Sequence, residues 1–231
     1  MDVIDAIKMR KSIRAFKPDP VPKETIRAIL EIACRAPSAM NIQPWEFTVA
    51  SGEALEKIRK GNVERLNAGQ MPNPDHLVVG WTNDSIYRER QVELAKQIFQ
   101  IMGITREDKV KRAQWMERGF RYFDAPVAII IYVDRSLSES GPLLDIGAVM
   151  QNICLAALHF GLGTCIEDQG VMYPEVVKKF TGIPESKRLL ISISMGYSDE
   201  SAQANRVAST RESVDSLITW VGGPHPEPVK Q

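Results

Sequence analysis

Two largely apolar runs in the second half of this chain constrain its fold more than any other sequence feature. Residues 127–133 read Val-Ala-Ile-Ile-Ile-Tyr-Val, and residues 189–196 read Leu-Leu-Ile-Ser-Ile-Ser-Met-Gly. A continuous apolar run of this length is typical of a β-strand that is covered on both faces by other elements. We therefore expect a sheet that lies inside a layered domain.

Patterns typical of helices alternate with these strands. Apolar residues at helical spacing predict a helix over residues 3–9, a second one that ends before Pro37, and a third over about 53–65. Another strand is predicted over residues 47–50, and a long, mostly apolar helix over residues 143–160. This alternation indicates an α/β or α+β domain, but it leaves the order of the strands open.

One stretch interrupts this pattern. Residues 67–84 have the composition of a loop, and residues 85–123 are helical in pattern and strongly charged, with a break near Gly103. This predicts a single domain over residues 1–221 with a helical lid excursion at about 62–123. Residues 222–231 are predicted to form a mobile or partner-wrapping C-terminal tail.

Composition excludes several classes of function. The chain has 29 basic and 29 acidic residues among 231, so it has no global field to attract nucleic acid or an anionic membrane. Its apolar stretches are far shorter than a membrane span, and its first residues lack a signal pattern. Three cysteines at no metal-ligand spacing favour a reducing compartment. We expect a cytoplasmic protein without a metal site, a nucleic-acid partner or a membrane partner.

Three short stretches, far apart in the chain, carry the residues suited to cofactor chemistry. Residues 10–14 (Arg-Lys-Ser-Ile-Arg) supply donors for phosphate and ring oxygens. Residues 37–45 form a helix-ending turn with short polar side chains. Residues 161–167 form a strand that carries a carboxylate and whose glycines leave room beside the backbone. Each stretch alone has an ordinary structural explanation, such as a solvated basic face. Their order and spacing match those of a known family, and this match indicates one shared site.

In these stretches the chain resembles the FMN-dependent nitroreductase family. The resemblance runs from Ile4 to about Val214, apart from residues 62–111. It implies a nitroreductase-like α+β fold, in which a central, largely antiparallel sheet is flanked by helices. It also implies an FMN-dependent oxidoreductase that uses NAD(P)H to reduce a nitroaromatic or a quinone by ping-pong hydride transfer.

The resemblance further implies an intertwined homodimer with two FMN sites at the interface. The helix predicted over residues 143–160 carries small residues that would let a partner helix approach closely. A helix buried within one chain explains the same composition equally well. The small residues are Gly147, Ala148, Ala156 and Ala157.

The resemblance also implies individual roles in binding FMN. Positions matching the 10–14 segment hold the ribityl phosphate and the pyrimidine side of the ring, and Lys11 is a candidate for stabilising the reduced flavin. The 165–167 segment passes beside the isoalloxazine, where the carboxylate of Glu167 would orient a nicotinamide. Ser209 stands where a second basic residue is often found beside the late phosphate arginine. The predicted cofactor-binding residues are Arg10, Lys11, Ser12, Arg14, Pro37, Ser38, Ala39, Asn41, Cys165, Ile166, Glu167 and Arg211.

Selection of the acceptor is predicted for the stretch outside the resemblance. Its aromatic rings and guanidinium groups would stack on and pair with an aryl carboxylate such as a nitrobenzoate. A charged, solvated helix is the competing interpretation. The residues concerned are Trp81, Tyr87, Arg88 and Arg90.

Some alternatives stay open at the level of sequence. Reductive dehalogenation or oxygen-dependent flavin chemistry would use the same FMN-binding residues. A non-enzymatic flavin-binding protein would bind flavin without turnover, and a partner-binding scaffold would bind none. Cys165 is interpreted as a packing residue rather than a nucleophile, because no recognisable motif places a base beside it. The sequence does not identify the physiological acceptor, the preferred nicotinamide cofactor or the extent of nitro reduction.

Overall fold

The computed structural model describes residues 2–222 and contains, within that range, a four-stranded antiparallel sheet. The strands lie in the spatial order β1-β2-β4-β3, and each neighbouring pair is antiparallel. The two apolar runs are therefore the two central strands, and the expected antiparallel sheet is confirmed. The strands are β1 (Glu46–Ser51), β2 (Val127–Asp134), β3 (Gly163–Glu167) and β4 (Lys187–Gly196).

Seven α-helices surround the sheet in this part of the chain. The helix expected over residues 3–9 has those bounds, whereas α7 is absent from the sequence prediction. Pro174 at its first position and Gly182 just beyond its end, with φ of 75°, are ordinary helix signals. None of the described helices is long and apolar enough to cross a membrane. The helices are α1 (Val3–Met9), α2 (Lys23–Ala33), α3 (Gly52–Asn67), α4 (Ile86–Ile101), α5 (Lys109–Phe120), α6 (Leu143–His159) and α7 (Pro174–Thr181).

The side chains of β2 alternate between two hydrophobic cores. Ile129 and Ile131 belong to the core formed with α2 and α6, and Ala128 and Ile130 belong to the core formed with α3 and α7. All four are fully buried. Because both faces of β2 are covered, the strand needs no polar side, which is why its sequence reads as a continuous apolar run.

Helices α4 and α5 lie in the charged stretch that is predicted to be a lid. The break near Gly103 is present, since α4 ends two residues earlier and Gly103 has φ of 62°. Both predicted ends of the excursion fall on buried residues, because Asn62 is enclosed within α3 and Phe123 lies in the core. The single-domain organisation remains a prediction. The tail predicted over residues 222–231 lies outside the described residues from position 223 onward.

Three consecutive residues with positive φ return the chain from α5 to β2. They are Tyr122, Phe123 and Asp124, with φ between 51° and 59°, a region that residues other than glycine rarely adopt. Tyr122 is fully buried, and its hydroxyl donates a hydrogen bond to the carbonyl of Gly170 at 2.6 Å. This contact fixes the end of the charged helical stretch against the segment that follows β3.

Candidate functional site

The basic segment at residues 10–14 lies directly against β3. The N–H of Ile13 donates to the carbonyl of Thr164 at 2.9 Å, and Ser12 forms a parallel bridge with Thr164. A side chain at Gly163 would lie 2.6 Å from Ile13, so glycine is needed for this close approach. The fold therefore brings the first and third predicted stretches together.

A buried asparagine holds this segment in place. The Asn205 side chain accepts a hydrogen bond from the Arg14 N–H at 2.7 Å and donates to the Ala15 carbonyl at 2.8 Å. Its backbone carbonyl accepts a hydrogen bond from the Lys11 ammonium at 2.9 Å. Sequence reasoning misses Asn205, because a lone asparagine in a short 3-10 turn carries no pattern.

The predicted phosphate-binding cations have no acidic partners in the described chain. Some, but not all, of the other arginines there pair with carboxylates, as Arg121 does with Asp124 and Arg135 with Asp75. The basic side chains of residues 10–14 are absent from every such pair, and Arg211 bonds instead to the Ser209 hydroxyl at 2.8 Å. Uncompensated guanidinium and ammonium groups are the donor set that a phosphate and flavin ring oxygens require. The residues present therefore fit FMN.

Cys165 and Ile166 occupy opposite faces of β3. Ile166 packs against the core that contains α6, and the Cys165 side chain is buried on the other side. Burial raises the pKa of the Cys165 thiol to about 12, and the nearby Arg14 charge offsets this in part. A thiol in this setting is un-ionised at neutral pH and is a poor nucleophile.

The carboxylate of Glu167 faces the interior. Its Oε1 accepts a hydrogen bond from the Ser192 hydroxyl at 2.5 Å, and its Oε2 accepts from the Gly170 N–H at 2.7 Å. Burial raises its pKa to about 8, although both hydrogen bonds act in the opposite direction. These contacts give Glu167 a part in fixing the turn after β3. Its role towards a nicotinamide stays a prediction.

The turn at residues 37–45 is held by helix α6. The N–H of Ala39 donates to both carboxylate oxygens of Asp145, at 3.2 and 3.3 Å, and the Ser38 hydroxyl accepts from the Gln43 N–H at 3.0 Å. Met40 and Asn41 have φ of 50° and 58° and are exposed. Asp145 is a buried acid in a mostly apolar helix, and this signal is present in the sequence.

This turn and the basic segment lie at different levels of α6. The turn contacts Asp145 near the start of the helix, whereas Cys154, nine residues further along, has a side-chain contact with Thr164, the β3 residue that bridges to Ser12. Nine residues of α-helix span about 13 Å. Within one described chain, no hydrogen bond joins residues 37–45 to residues 10–14. The fold therefore leaves the second predicted stretch, including Pro37, apart from the other two.

The predicted acceptor-binding residues are exposed on or near α4. The side chains of Trp81 and Arg88 both donate to Gln91, the former at 3.3 Å. Arg90 forms an ion pair with Glu212 at 2.9 Å, next to Arg211. Tyr87 is also exposed. The structure thus links α4 to the segment that carries the predicted phosphate arginine.

Two other features delimit the site. The described residues contain no cluster of three metal-ligating side chains. A cleft of about 710 Å³ lies between the starts of β2 and α3, and none of residues 10–14 lines it. Its two arginines, Arg59 and Arg121, already have partners within the fold. We therefore place the candidate site at residues 10–14 and β3.

Known proteins match this chain over nearly its whole length. Residues 7–197 match the model of the nitroreductase family. The chain is 32% identical over 218 residues to the chloronitrobenzene nitroreductase of Comamonas testosteroni, with 94% of this chain and 96% of that protein covered. It is 33% identical over 219 residues to the nitrobenzene nitroreductase of Ectopseudomonas oleovorans, with the same coverage. The crystal structure of the FMN and NADPH-dependent nitroreductase NfnB of Sphigopyxis sp. strain HMH matches with a TM-score of 0.92 at 28% identity, covering 96% of this chain and 100% of that one.

Proposed function

The chain belongs to the nitroreductase family, and we propose that it is an FMN-dependent oxidoreductase that uses NAD(P)H to reduce nitroaromatic compounds. Three relatives support this assignment. Two are named as nitroreductases of chloronitrobenzene and nitrobenzene, and the third, NfnB, is named as FMN and NADPH-dependent. Quinones are a second acceptor class predicted from the sequence.

One observation carries the proposal. The segment with Arg10, Lys11 and Arg14 is fixed against β3, yet its charges lack carboxylate partners in the described chain. Bringing unpaired cations together costs electrostatic free energy, which an anionic ligand would recover. A flavin phosphate with its electron-rich pyrimidine ring is such a ligand.

We assign the tasks of binding FMN as follows. Arg10, Arg14 and Arg211 hold the phosphate, and Lys11 places a positive charge beside the pyrimidine side of the ring. When bound, FMN supplies the two-electron chemistry, in which hydride from NAD(P)H is passed on to the acceptor. The positive charge of Lys11 favours the more negative, reduced state of the cofactor.

Proton delivery needs no carboxylate of the chain under this proposal. Glu167 is the acidic side chain of β3, and donors within the fold occupy both of its oxygens. Cys165 is buried and un-ionised. Protons for nitro reduction therefore come from solvent, and NAD(P)H and the acceptor use the same position in turn.

We further propose an intertwined homodimer. The turn at residues 37–45 carries predicted cofactor contacts, but it is held by Asp145 at the start of α6, and no hydrogen bond within the described chain joins it to the basic segment. A second copy would bring its turn to this site. Exposed apolar side chains on α1 and near residue 220 provide a surface for that contact; they are Val3, Ile4, Ile7, Met9, Leu217, Trp220 and Val221.

Sedimentation velocity of the FMN-loaded protein tests the dimer. The proposal predicts a single dimeric species whose dissociation is accompanied by loss of flavin. An active monomer that retains FMN would contradict it, because the turn would then be dispensable for cofactor binding.

The cofactor assignment is tested by substituting the phosphate arginines. Arg10→Ala and Arg211→Ala should release FMN more readily than wild type, while the free energy of unfolding of the apoprotein changes little. Arg27→Ala is the matched control, since Arg27 is an exposed arginine paired with Glu31 on α2. FMN affinity equal to wild type in both site variants would remove the assignment.

A further inference from the structure

A groove between the end of α4 and α5 has no role in the function proposed so far. Its volume is about 260 Å³, slightly below the range of roughly 300–1,000 Å³ that is usual for a whole small-molecule site. The groove thus suits one part of a larger ligand. It is lined by Met102, Ile104, Lys111, Gln114, Trp115 and Arg118.

The chemistry of its lining is aromatic and cationic. Lys111, Trp115 and Arg118 follow one another at spacings of four and three residues, so they share one face of α5. The Arg118 guanidinium lies 5.6 Å from the centre of the Trp115 ring. Lys111 is 58% exposed, and its carboxylate contact is Asp108 at 3.4 Å. An indole face beside a solvated ammonium group suits a flat heterocycle that carries phosphate.

The groove adjoins the candidate flavin site. Arg118 donates a hydrogen bond to the backbone carbonyl of Arg14 at 2.7 Å, so one side chain spans the distance between the two. The N–H of Ile13, next to Arg14, donates a hydrogen bond to the Thr164 carbonyl of β3 at 2.9 Å. A ligand with its reactive ring at β3 can therefore extend its other end towards α5.

We propose that this groove binds the adenosine half of NAD(P)H, with Trp115 stacked on the adenine and Lys111 paired with a phosphate of that adenosine half. This inference rests on the proposed function, because it assumes that the nicotinamide is delivered to the flavin site. The nitroaromatic acceptor is a single substituted ring and must lie at the flavin to react. The dinucleotide is the reactant long enough to occupy both positions.

The first test compares two hydride donors in anaerobic stopped-flow reduction of the FMN-loaded enzyme. Reduced nicotinamide mononucleotide carries the same nicotinamide as NADPH but lacks the adenosine half. Lys111→Gln and Trp115→Ala should both raise the apparent Kd for NADPH. For Trp115→Ala the increase should be roughly 5- to 150-fold, which corresponds to the free energy of one base–aromatic stack. Neither variant should change the apparent Kd for the mononucleotide.

The second test measures binding without turnover. Isothermal titration of the FMN-loaded enzyme with adenosine 2′,5′-bisphosphate should give a heat of binding that Trp115→Ala abolishes and Trp115→Phe partly restores. Lys109→Gln is the matched control for Lys111→Gln, because Lys109 lies on the same helix outside the groove lining. Lys109→Gln should bind NADPH and adenosine 2′,5′-bisphosphate as wild type does.

The outcomes separate this inference from the function on which it rests. Equal changes for NADPH and the mononucleotide, or no change for either, would overturn the groove assignment while the enzyme remains a nitroreductase. Wild-type flavin that neither donor reduces would instead contradict the proposed function. Lys111 is exposed, so Lys111→Gln tests the groove even if a Trp115 variant folds poorly.

Discussion

The side-chain oxygen of Asn205 accepts a hydrogen bond from the backbone N–H of Arg14 at 2.7 Å, across 191 positions of the sequence. The same side chain donates to the carbonyls of Ala15 and Asp199. One buried amide therefore ties the basic segment to the chain that follows β4. The orientation of the proposed phosphate-binding groups depends on this link.

Asn205→Ala should weaken FMN binding by about tenfold or more, equivalent to ~1.4 kcal/mol. It leaves the Arg14 N–H and the Ala15 carbonyl without partners, so the free energy of unfolding should fall by about 1–3 kcal/mol. Flavin fluorescence during FMN titration gives the affinity, and urea denaturation gives the stability. Asn152→Ala, which removes an amide contact between α6 and Ala33, is the control. If both variants lose stability equally and keep FMN equally well, Asn205 has no special role at the site.

Glu167 should make stability depend on pH. Its pKa is raised in the fold from 4.5 to about 8, so the folded protein binds this proton more tightly than the unfolded chain does. The resulting stabilisation is fully present below about pH 4.5 and is lost as the pH rises towards about 8. Glu167→Gln cannot ionise, so it does not lose this stabilisation. The difference in free energy of unfolding between the variant and wild type should therefore change in favour of the variant between about pH 4.5 and 8, and stay constant above about pH 8.

Urea denaturation at one-unit pH intervals measures this difference. Glu64→Gln, an exposed change on α3, serves as the control and should stay parallel to wild type. A difference between Glu167→Gln and wild type that is constant with pH would show that the buried carboxyl does not titrate in this range.

Cys165 should be chemically inert. Burial raises the pKa values of all three thiols, but Cys165 and Cys154 are buried whereas Cys34 is only half-buried. Under native conditions, a thiol reagent should therefore modify Cys34 first and leave the other two until the protein unfolds. In the Cys165→Ala variant, NAD(P)H should reduce the bound FMN at close to the wild-type rate. Rapid native labelling of Cys165 with loss of that reaction would show a reactive thiol instead.

Glu212→Gln tests whether Arg90 binds an acceptor carboxylate. The Arg90–Glu212 pair is about half exposed, so losing it should cost at most about 1 kcal/mol of stability. Arg90 would then be free to pair with substrate, and KM for 4-nitrobenzoate should fall by up to about fivefold while KM for nitrobenzene is unchanged. Arg88→Ala should raise KM for the charged acceptor. Parallel changes for both acceptors would limit these arginines to a structural role.

The sequence predicts the elements whose signals are local. The run at residues 127–133 specifies β2 because burial on both faces removes every polar position from it. The three cofactor stretches are recognisable because each is a short segment in which the residues suited to cofactor binding are close together in the sequence. Helix α7 also has local signals, Pro174 and Gly182, so the sequence is sufficient to predict it.

Features that depend on distant partners were not predictable. The interior position of the Glu167 carboxylate follows from the pairing of β3 with β4, which sets Glu167 opposite Ser192. Sequence alone does not give that strand order. Asn205 and Arg118 act on residues about 190 and 100 positions away, so no local pattern marks them. The same holds for the separation of the turn at residues 37–45 from the basic segment.

The most direct test of this account is the visible spectrum of the purified, FMN-reconstituted protein under anaerobic conditions, recorded during successive additions of NADPH and nitrobenzene. We expect a yellow protein whose flavin band is bleached by NADPH and restored by nitrobenzene, with FMN released on denaturation. A protein that stays colourless after reconstitution, or whose bound flavin is bleached by dithionite but not by NADPH or NADH, would contradict it.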